Sequence, residues 1–287
     1  MLSKSWLRPT NRRVRLVVGL LLAGLFSVQC TRTSAWRESD VVTPVGSTVV
    51  GANSPDTVRR VDRLARTDHA ALLSYCLDKA RGRYRDYTCT FIKQERIGGQ
   101  LKAAQHIEVD FLSEPFSVAM QWTKNAPLAD RLLYVEGKYN GQMLLRPAGL
   151  LGNFVGTVTR DPTGEDVKRK TLRPVTMFGF VNGMESLLEV YREAAAAGDL
   201  REEFGGYARV DGRDTVKLVR YLPPKGDYPA HKTEVYIDLE YLVPICIESR
   251  NWDDEVSSRY LYKDVQFNVG LTTDDFLPDA VGMKPPK

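Results

Sequence analysis

The sequence is poor in the residues from which most enzymes build a site. Only three histidines occur, His69, His106 and His231, and four cysteines, Cys30, Cys76, Cys89 and Cys246. The histidines are scattered, and no Cys-x-x-Cys or Cys/His spacing offers a zinc ligand set. Gly-x-Ser-x-Gly, His-Glu-x-x-His, P-loop and dinucleotide fingerprints are all missing. The sequence therefore points away from an enzyme and implies no metal and no cofactor. Acidic residues are missing before Glu38, and so is a membrane-spanning run at the N-terminus. The apolar stretch Leu16–Phe26 has 11 residues, whereas a spanning helix needs about 20.

What does stand there is a basic segment with Lys4, Arg8, Arg12, Arg13 and Arg15, followed by that short apolar run, which is the pattern of an export signal. Three fates are open. Ser27-Val28-Gln29-Cys30 resembles a degenerate lipobox, so Cys30 is a lipidation candidate, although Gln29 is unusual before such a cysteine. Thr33-Ser34-Ala35 offers a small-residue cleavage site that would release a soluble protein. The third fate is an uncleaved anchor. Either cleavage implies an exported protein, periplasmic or lipid-anchored to an envelope membrane.

The signal carries the apparent basicity. The chain has 40 Lys+Arg, 36 Asp+Glu and a formal charge of +4. Residues 1–29 hold five of the bases and no acid, so their removal moves the charge to −1. Nucleic-acid binding needs a basic face that the mature chain retains, and none is implied. If Cys30 is lipidated, Cys76, Cys89 and Cys246 remain. Cys76 and Cys89 have two readings, a short disulfide in an oxidising compartment or two buried free thiols.

The expected organisation is a signal at 1–29, a flexible Ser/Thr/Gly-rich tether at 30–56, one folded domain at 57–277 and a disordered tail at 278–287. A helix is expected over 57–83, with Asp68 as an N-cap candidate and Gly82 at its end. Alternation then marks strands. Tyr87, Cys89 and Phe91 share one face, as do Ile107, Val109 and Phe111, and Phe116, Val118, Met120 and Trp122. Gly98-Gly99 and Tyr139-Asn140-Gly141 read as turns, and 147–172 as a surface connection. A second helix is expected over 177–197, with Met184, Leu187, Leu188 and Tyr191 on one face and Gly198 as a C-cap candidate. Strands resume near 206–210, 214–221, 232–239, 243–250 and 257–267. The fold class is α+β. A curved antiparallel sheet, a half-open β-barrel of about nine to eleven strands, must hide its apolar face by wrapping two or three helices. Asp253-Asp254-Glu255 reads as a hairpin turn before a weak calcium ligand set, and Lys168-Arg169-Lys170 as a solvated loop before a headgroup contact.

Several runs carry a resemblance. Tyr87–Ile97, Glu114–Val118, Leu133–Lys138 and Arg146–Leu150 resemble domain-of-unknown-function family 1571. More distantly, Thr233–Asp238, Leu242–Ile245, Tyr262–Asn268 and Phe276 are similar to the closing strands of the lipoprotein carrier and receptor superfamily. That second resemblance implies a sheet that shelters acyl chains, with lipid or a lipidated protein as partner, a membrane contact through the N-terminal anchor, and a monomer. The candidate lining residues are Phe91, Val109, Phe111, Val118, Met120, Trp122, Val135 and Ile237, and ordinary core packing is the alternative for each. The functional expectation is acyl-chain or lipid binding without covalent chemistry. Its alternatives are a periplasmic regulatory module of the same fold that binds a protein, and a structural envelope protein with a filled core.

Overall fold

The computed structural model describes residues 42–45, 53–149 and 156–285. The signal segment, Cys30 and most of the expected tether lie outside the described residues. Alternation writes the fold. Where apolar residues recur every second position, a strand can bury one face and wet the other. The result is one open, 13-stranded antiparallel sheet.

The strands are β1 (Val42–Val45), β2 (Asp86–Ile97), β3 (Gln100–Leu101), β4 (Gln105–Leu112), β5 (Ser117–Lys124), β6 (Ala129–Val135), β7 (Met143–Pro147), β8 (Val158–Arg160), β9 (Arg201–Val210), β10 (Arg213–Tyr221), β11 (Lys232–Asp238), β12 (Pro244–Arg250) and β13 (Val256–Phe267). Their order is β1-β9-β10-β11-β12-β13-β2-β4-β5-β6-β7-β8, with β3 hanging on β2. Two meanders are thus joined by one seam, where β13 lies against β2 with Tyr262 opposite Phe91 and Ser258 opposite Glu95.

Helices α1 (Pro55–Thr67), α2 (His69–Ala80) and α4 (Phe180–Ala196) cover one face of the sheet, and α3 (Glu165–Lys168) is a single turn in the connection before α4. The long helix expected over 57–83 is two helices. Asp68 takes an extended backbone, ends α1, and accepts the Ala71 amide at 2.8 Å to start α2. A side chain that satisfies a helix's first free amide competes with continuation of the preceding helix. On α4, Met184, Leu187, Leu188 and Tyr191 are all buried, as their spacing predicted. Gly198 follows in the left-handed region, its amide and that of Asp199 bonding Ala195 and Ala194 carbonyls.

Three expectations need correction, and one open choice is decided. Val42–Val45, inside the expected tether, pairs with β9. The connection 147–172 contains β8, paired with β7, as well as α3. Cys76 and Cys89 are free buried thiols rather than a disulfide, one on α2 and one on the sheet. The tail expected to be disordered from 278 packs, as far as Met283, on the sheet face opposite the helices. Phe276 and Met283 close a second core there with Leu112, Ala119, Leu133, Val135 and Leu144. Arg131 and Arg146 hold the tail by the carbonyls of Val281 and Gly282, each at 3.0 Å. Asp253–Glu255 form the β12–β13 turn, with the Asn251 side chain accepting the amides of Asp253 and Glu255.

Candidate functional site

The helix-covered face carries two kinds of surface. The first is aromatic. Tyr87, Phe91, Phe111, Tyr262 and Phe267 come from adjacent strands β2, β4 and β13, because pairing of β2 with both neighbours puts their like-parity residues side by side. Phe178 and Phe180 descend on them from the segment that leads into α4. Phe178 meets Phe91 at 5.3 Å and Tyr262 at 5.8 Å between ring centres, while Phe180 meets Tyr262 at 4.6 Å and Tyr87 at 5.0 Å. These separations are those at which offset and edge-on ring pairs attract. Gly179 between the two phenylalanines has φ 103°, and a Cβ there would sit 2.9 Å from Phe111 Cε2. Gly179→Ala is expected to cost about 1–3 kcal/mol from backbone strain and the ring contact together. Urea unfolding measures it, and a loss below about 0.5 kcal/mol would mean the segment moves freely over Phe111.

The second surface is polar and buried. One cross-strand row runs Glu202, Arg220, Thr233, Ser249, Ser258, Glu95, from β9 to β2, each residue opposite the next. All point to the helix-covered side, having the parity of Leu218, Val235, Ile247 and Tyr260. Glu95 is 3% exposed. It accepts the Tyr260 hydroxyl at 2.7 Å and Thr171 Oγ1 at 3.3 Å, with Lys93 Nζ at 3.2 Å. Burial, reinforced by Glu95, pushes the Tyr260 hydroxyl well above its ordinary pKa. Arg220 donates to Thr233 at 3.2 Å and lies 4.8 Å over the Tyr191 ring. Thr171 and Arg173, from the same segment as the two phenylalanines, cover this row, Arg173 standing 5.3 Å over the Tyr260 ring.

At the far end of the row, Glu202 accepts the His69 amide at 3.2 Å, and His69 Nδ1 faces the Tyr191 hydroxyl at 3.4 Å. Burial lowers the His69 pKa, against a smaller opposing pull from the Ala65 carbonyl and Asp68. The folded protein therefore holds His69 neutral where the unfolded chain already takes a proton. Stability from His69 is full above the unfolded value near 6.5 and is lost as pH falls through the depressed folded value. Thermal melts from pH 7.5 to 5 should show a steeper acid loss for the wild type than for His69→Gln. Glu202, whose carboxyl burial raises, titrates in the opposite sense in both proteins, so their difference is the readout. Equal slopes would remove His69 from the account.

Of the eight candidate lining residues, Phe91, Val109, Phe111, Val118, Met120 and Ile237 are buried in the helix-covered core, and Trp122 packs at its margin. Val135 is not among them. It shares the parity of Leu133 and lies in the opposite core under the tail. The sequence reading missed the polar row, because Thr233, Ser249 and Ser258 sit near strand ends and are brought into line only by the register between strands. Their signal is polarity at the inward parity on consecutive strands. Cys76 and Cys89 make poor nucleophiles, since burial pushes Cys76 up to about 12 and Cys89 upward too. An open groove of about 860 Å³ lies outside the core between α2 and α4, lined by Leu77, Asp78, Arg81, Glu185, Leu188 and Glu189. Arg81 and Glu185 pair across it.

The family model described as a protein of unknown function, DUF1571, matches residues 84–281. Comparison with curated proteins gives no match. Three solved structures illustrate the likenesses. Mycobacterium tuberculosis lipoprotein LppX is 13% identical, with TM-score 0.42, over 71% of this chain and 96% of that one. A LolA superfamily protein from Nitrosomonas europaea is 12% identical, with TM-score 0.26, over 73% and 98%. The Pseudomonas aeruginosa MucA/MucB complex gives 14% identity and TM-score 0.44 over 75% of this chain and 62% of that one, so the chain spans less than two thirds of that protein.

Proposed function

The chain belongs to the DUF1571 family, and from that premise we propose that it is an exported envelope protein that holds an acyl chain, free or borne by a protein, on the helix-covered face of its sheet. The observation that carries this reading is the nature of the cover. The aromatic floor is closed by two side chains, Phe178 from a connecting segment and Phe180 from the first turn of α4, and not by a paired strand. Lifting a phenylalanine off an apolar floor costs roughly 1.5–3 kcal/mol. A chain of about sixteen carbons, at about 0.8 kcal/mol per methylene, returns on the order of 10 kcal/mol. The exchange favours the ligand. It uses no bond-making step, so no nucleophile is required, and a lipid at Cys30 would keep the protein at its membrane.

Native mass spectrometry of the full chain purified from an envelope fraction tests this. Acyl-chain adducts are expected, together with displacement of a fluorescent fatty acid by hexadecanoate. A protein free of lipid and silent toward the probe sinks the reading in favour of a filled core. The groove between α2 and α4, polar at its rim and bridged by Arg81 and Glu185, supports a second reading, a regulatory module that binds a protein segment there. Under that reading, affinity capture yields one defined protein, and Glu185→Lys abolishes it.

A further inference from the structure

Arg220 is 2% exposed, yet its Nε and Nη1 have no hydrogen-bond partner. Its one side-chain hydrogen bond goes to Thr233, a neutral hydroxyl. A buried cation of this kind ordinarily pairs with a carboxylate, because desolvation of an unpaired charge costs several kcal/mol. The acids nearest along its row are already engaged. Glu95 serves Lys93, Tyr260 and Thr171, and Glu202 serves the His69 amide. The neighbouring charge is instead a second guanidinium. Arg173, half-buried over Tyr260, makes no ion pair among the described residues and weakens the charged form of Arg220, in the same direction as burial and against the pull of Tyr191. The Tyr191 ring offsets part of the cost, on the order of 2 kcal/mol for a desolvated cation–π contact. Among the described residues neither guanidinium is paired with a carboxylate, and Arg220 lies beside the hydroxyls of Thr233 and Ser249.

We propose that Arg220 and Arg173 form an oxyanion site at the polar end of the helix-covered face, and that the ligand is an anionic amphiphile whose carboxylate or phosphate sits there. The ring contacts run without a break from this end to the aromatic floor, Arg173 on Tyr260, Tyr260 on Phe91 at 5.9 Å, and Phe91 on Phe178. A chain replacing Phe178 would therefore lead its head toward the two guanidiniums. Arginine suits the task, being permanently charged and matched to planar or tetrahedral oxyanions. The proposal rests on the acyl-binding reading for the chain, while its anionic end is measured separately.

The test uses the full chain with hexadecanoate, hexadecan-1-ol and inorganic phosphate. Wild type should bind hexadecanoate about tenfold to a hundredfold more tightly than the alcohol. Arg220→Gln should bind the two alike and keep its affinity for the alcohol. Arg173→Gln, at a more open position, should cut the preference about tenfold or less, and it carries the test if Arg220→Gln does not fold. If neither amphiphile binds the wild type, the acyl reading has failed. Thermal stabilisation by phosphate that vanishes in either variant then still supports an anion site, one filled by a free ion. A hexadecanoate preference that survives both substitutions, or a wild type indifferent to charge in all three probes, overturns the proposal.

Discussion

Tyr87→Ala should remove about 3–5 kcal/mol of stability, whereas Tyr87→Phe should leave it unchanged or raise it by about 1 kcal/mol. The opposite signs follow from one residue with two parts. The ring is 1% exposed and stacks on Phe111 at 4.6 Å, tilts against Phe180 at 5.0 Å and meets the edge of Phe267 at 5.7 Å. Truncation empties the place where β2, β4, β13 and the entry to α4 converge. The surrounding strands are fixed by their ladders and cannot collapse into the gap. The hydroxyl is the other part. It is buried without a partner, and burial pushes its pKa well above the ordinary value. Removing a desolvated, unbonded hydroxyl relieves a cost rather than breaking a bond. Urea midpoints at constant m-value give both numbers. A loss above about 1 kcal/mol in Tyr87→Phe would mean that the hydroxyl has a partner and that the sign argument is wrong.

Asp238→Ala should also cost about 3–5 kcal/mol. Asp238 ends β11 and is 1% exposed. Its Oδ1 accepts the amides of Glu240 and Tyr241, both at 2.8 Å, and fixes the turn in which Leu242 takes φ 58°. Arg213 reaches both carboxylate oxygens and also Glu240 at 2.8 Å. Alanine strands two amides at once and leaves the Arg213 guanidinium with Glu240 alone as its carboxylate partner. Asp238→Asn keeps an acceptor for the amides and loses the charge, so it should fall between. A double-mutant cycle with Arg213→Met separates the ion pair from the turn. Coupling below about 0.5 kcal/mol would assign the effect to the turn alone.

Asp238 also shows what the sequence makes legible. A strand that ends in aspartate before a turn and a proline-led strand was readable as a closing motif, and the structure explains it by two captured amides. Asn268, the other polar mark of that motif, bridges back to residues 83 and 85 through its side chain. Period-two alternation gave the buried face of β2 and β4 correctly, since each of those faces is settled within one strand. Val135 was assigned to the wrong core for the same reason it was noticed. It is apolar and in a strand, but β6 is covered on both faces, and only the tail's position reveals which core claims it. The tail itself has no period to read. Leu271, Phe276, Val281 and Met283 are spaced irregularly because they pack as a strap. The polar row lies beyond local inspection as well, because its meaning depends on registers between strands far apart in the chain.

The seam between β13 and β2 has a consequence for the order in which the molecule can be made. Synthesis delivers β2 well before β13, with Glu95 waiting for Ser258 and Phe91 for Tyr262. Until the final strand is supplied, the first meander can pair within itself but keeps β2 as a bare edge bearing Phe91 and Ile92. Unpaired, apolar edges are where chains join the wrong neighbour, and contacts this remote in sequence form slowly. The nascent protein therefore passes through an unsealed half, exposed to aggregation and open to any chaperone that binds extended strands. The seam closes only once Val256–Phe267 has been made, so loss of β13 is a lesion of the whole sheet and not of one edge.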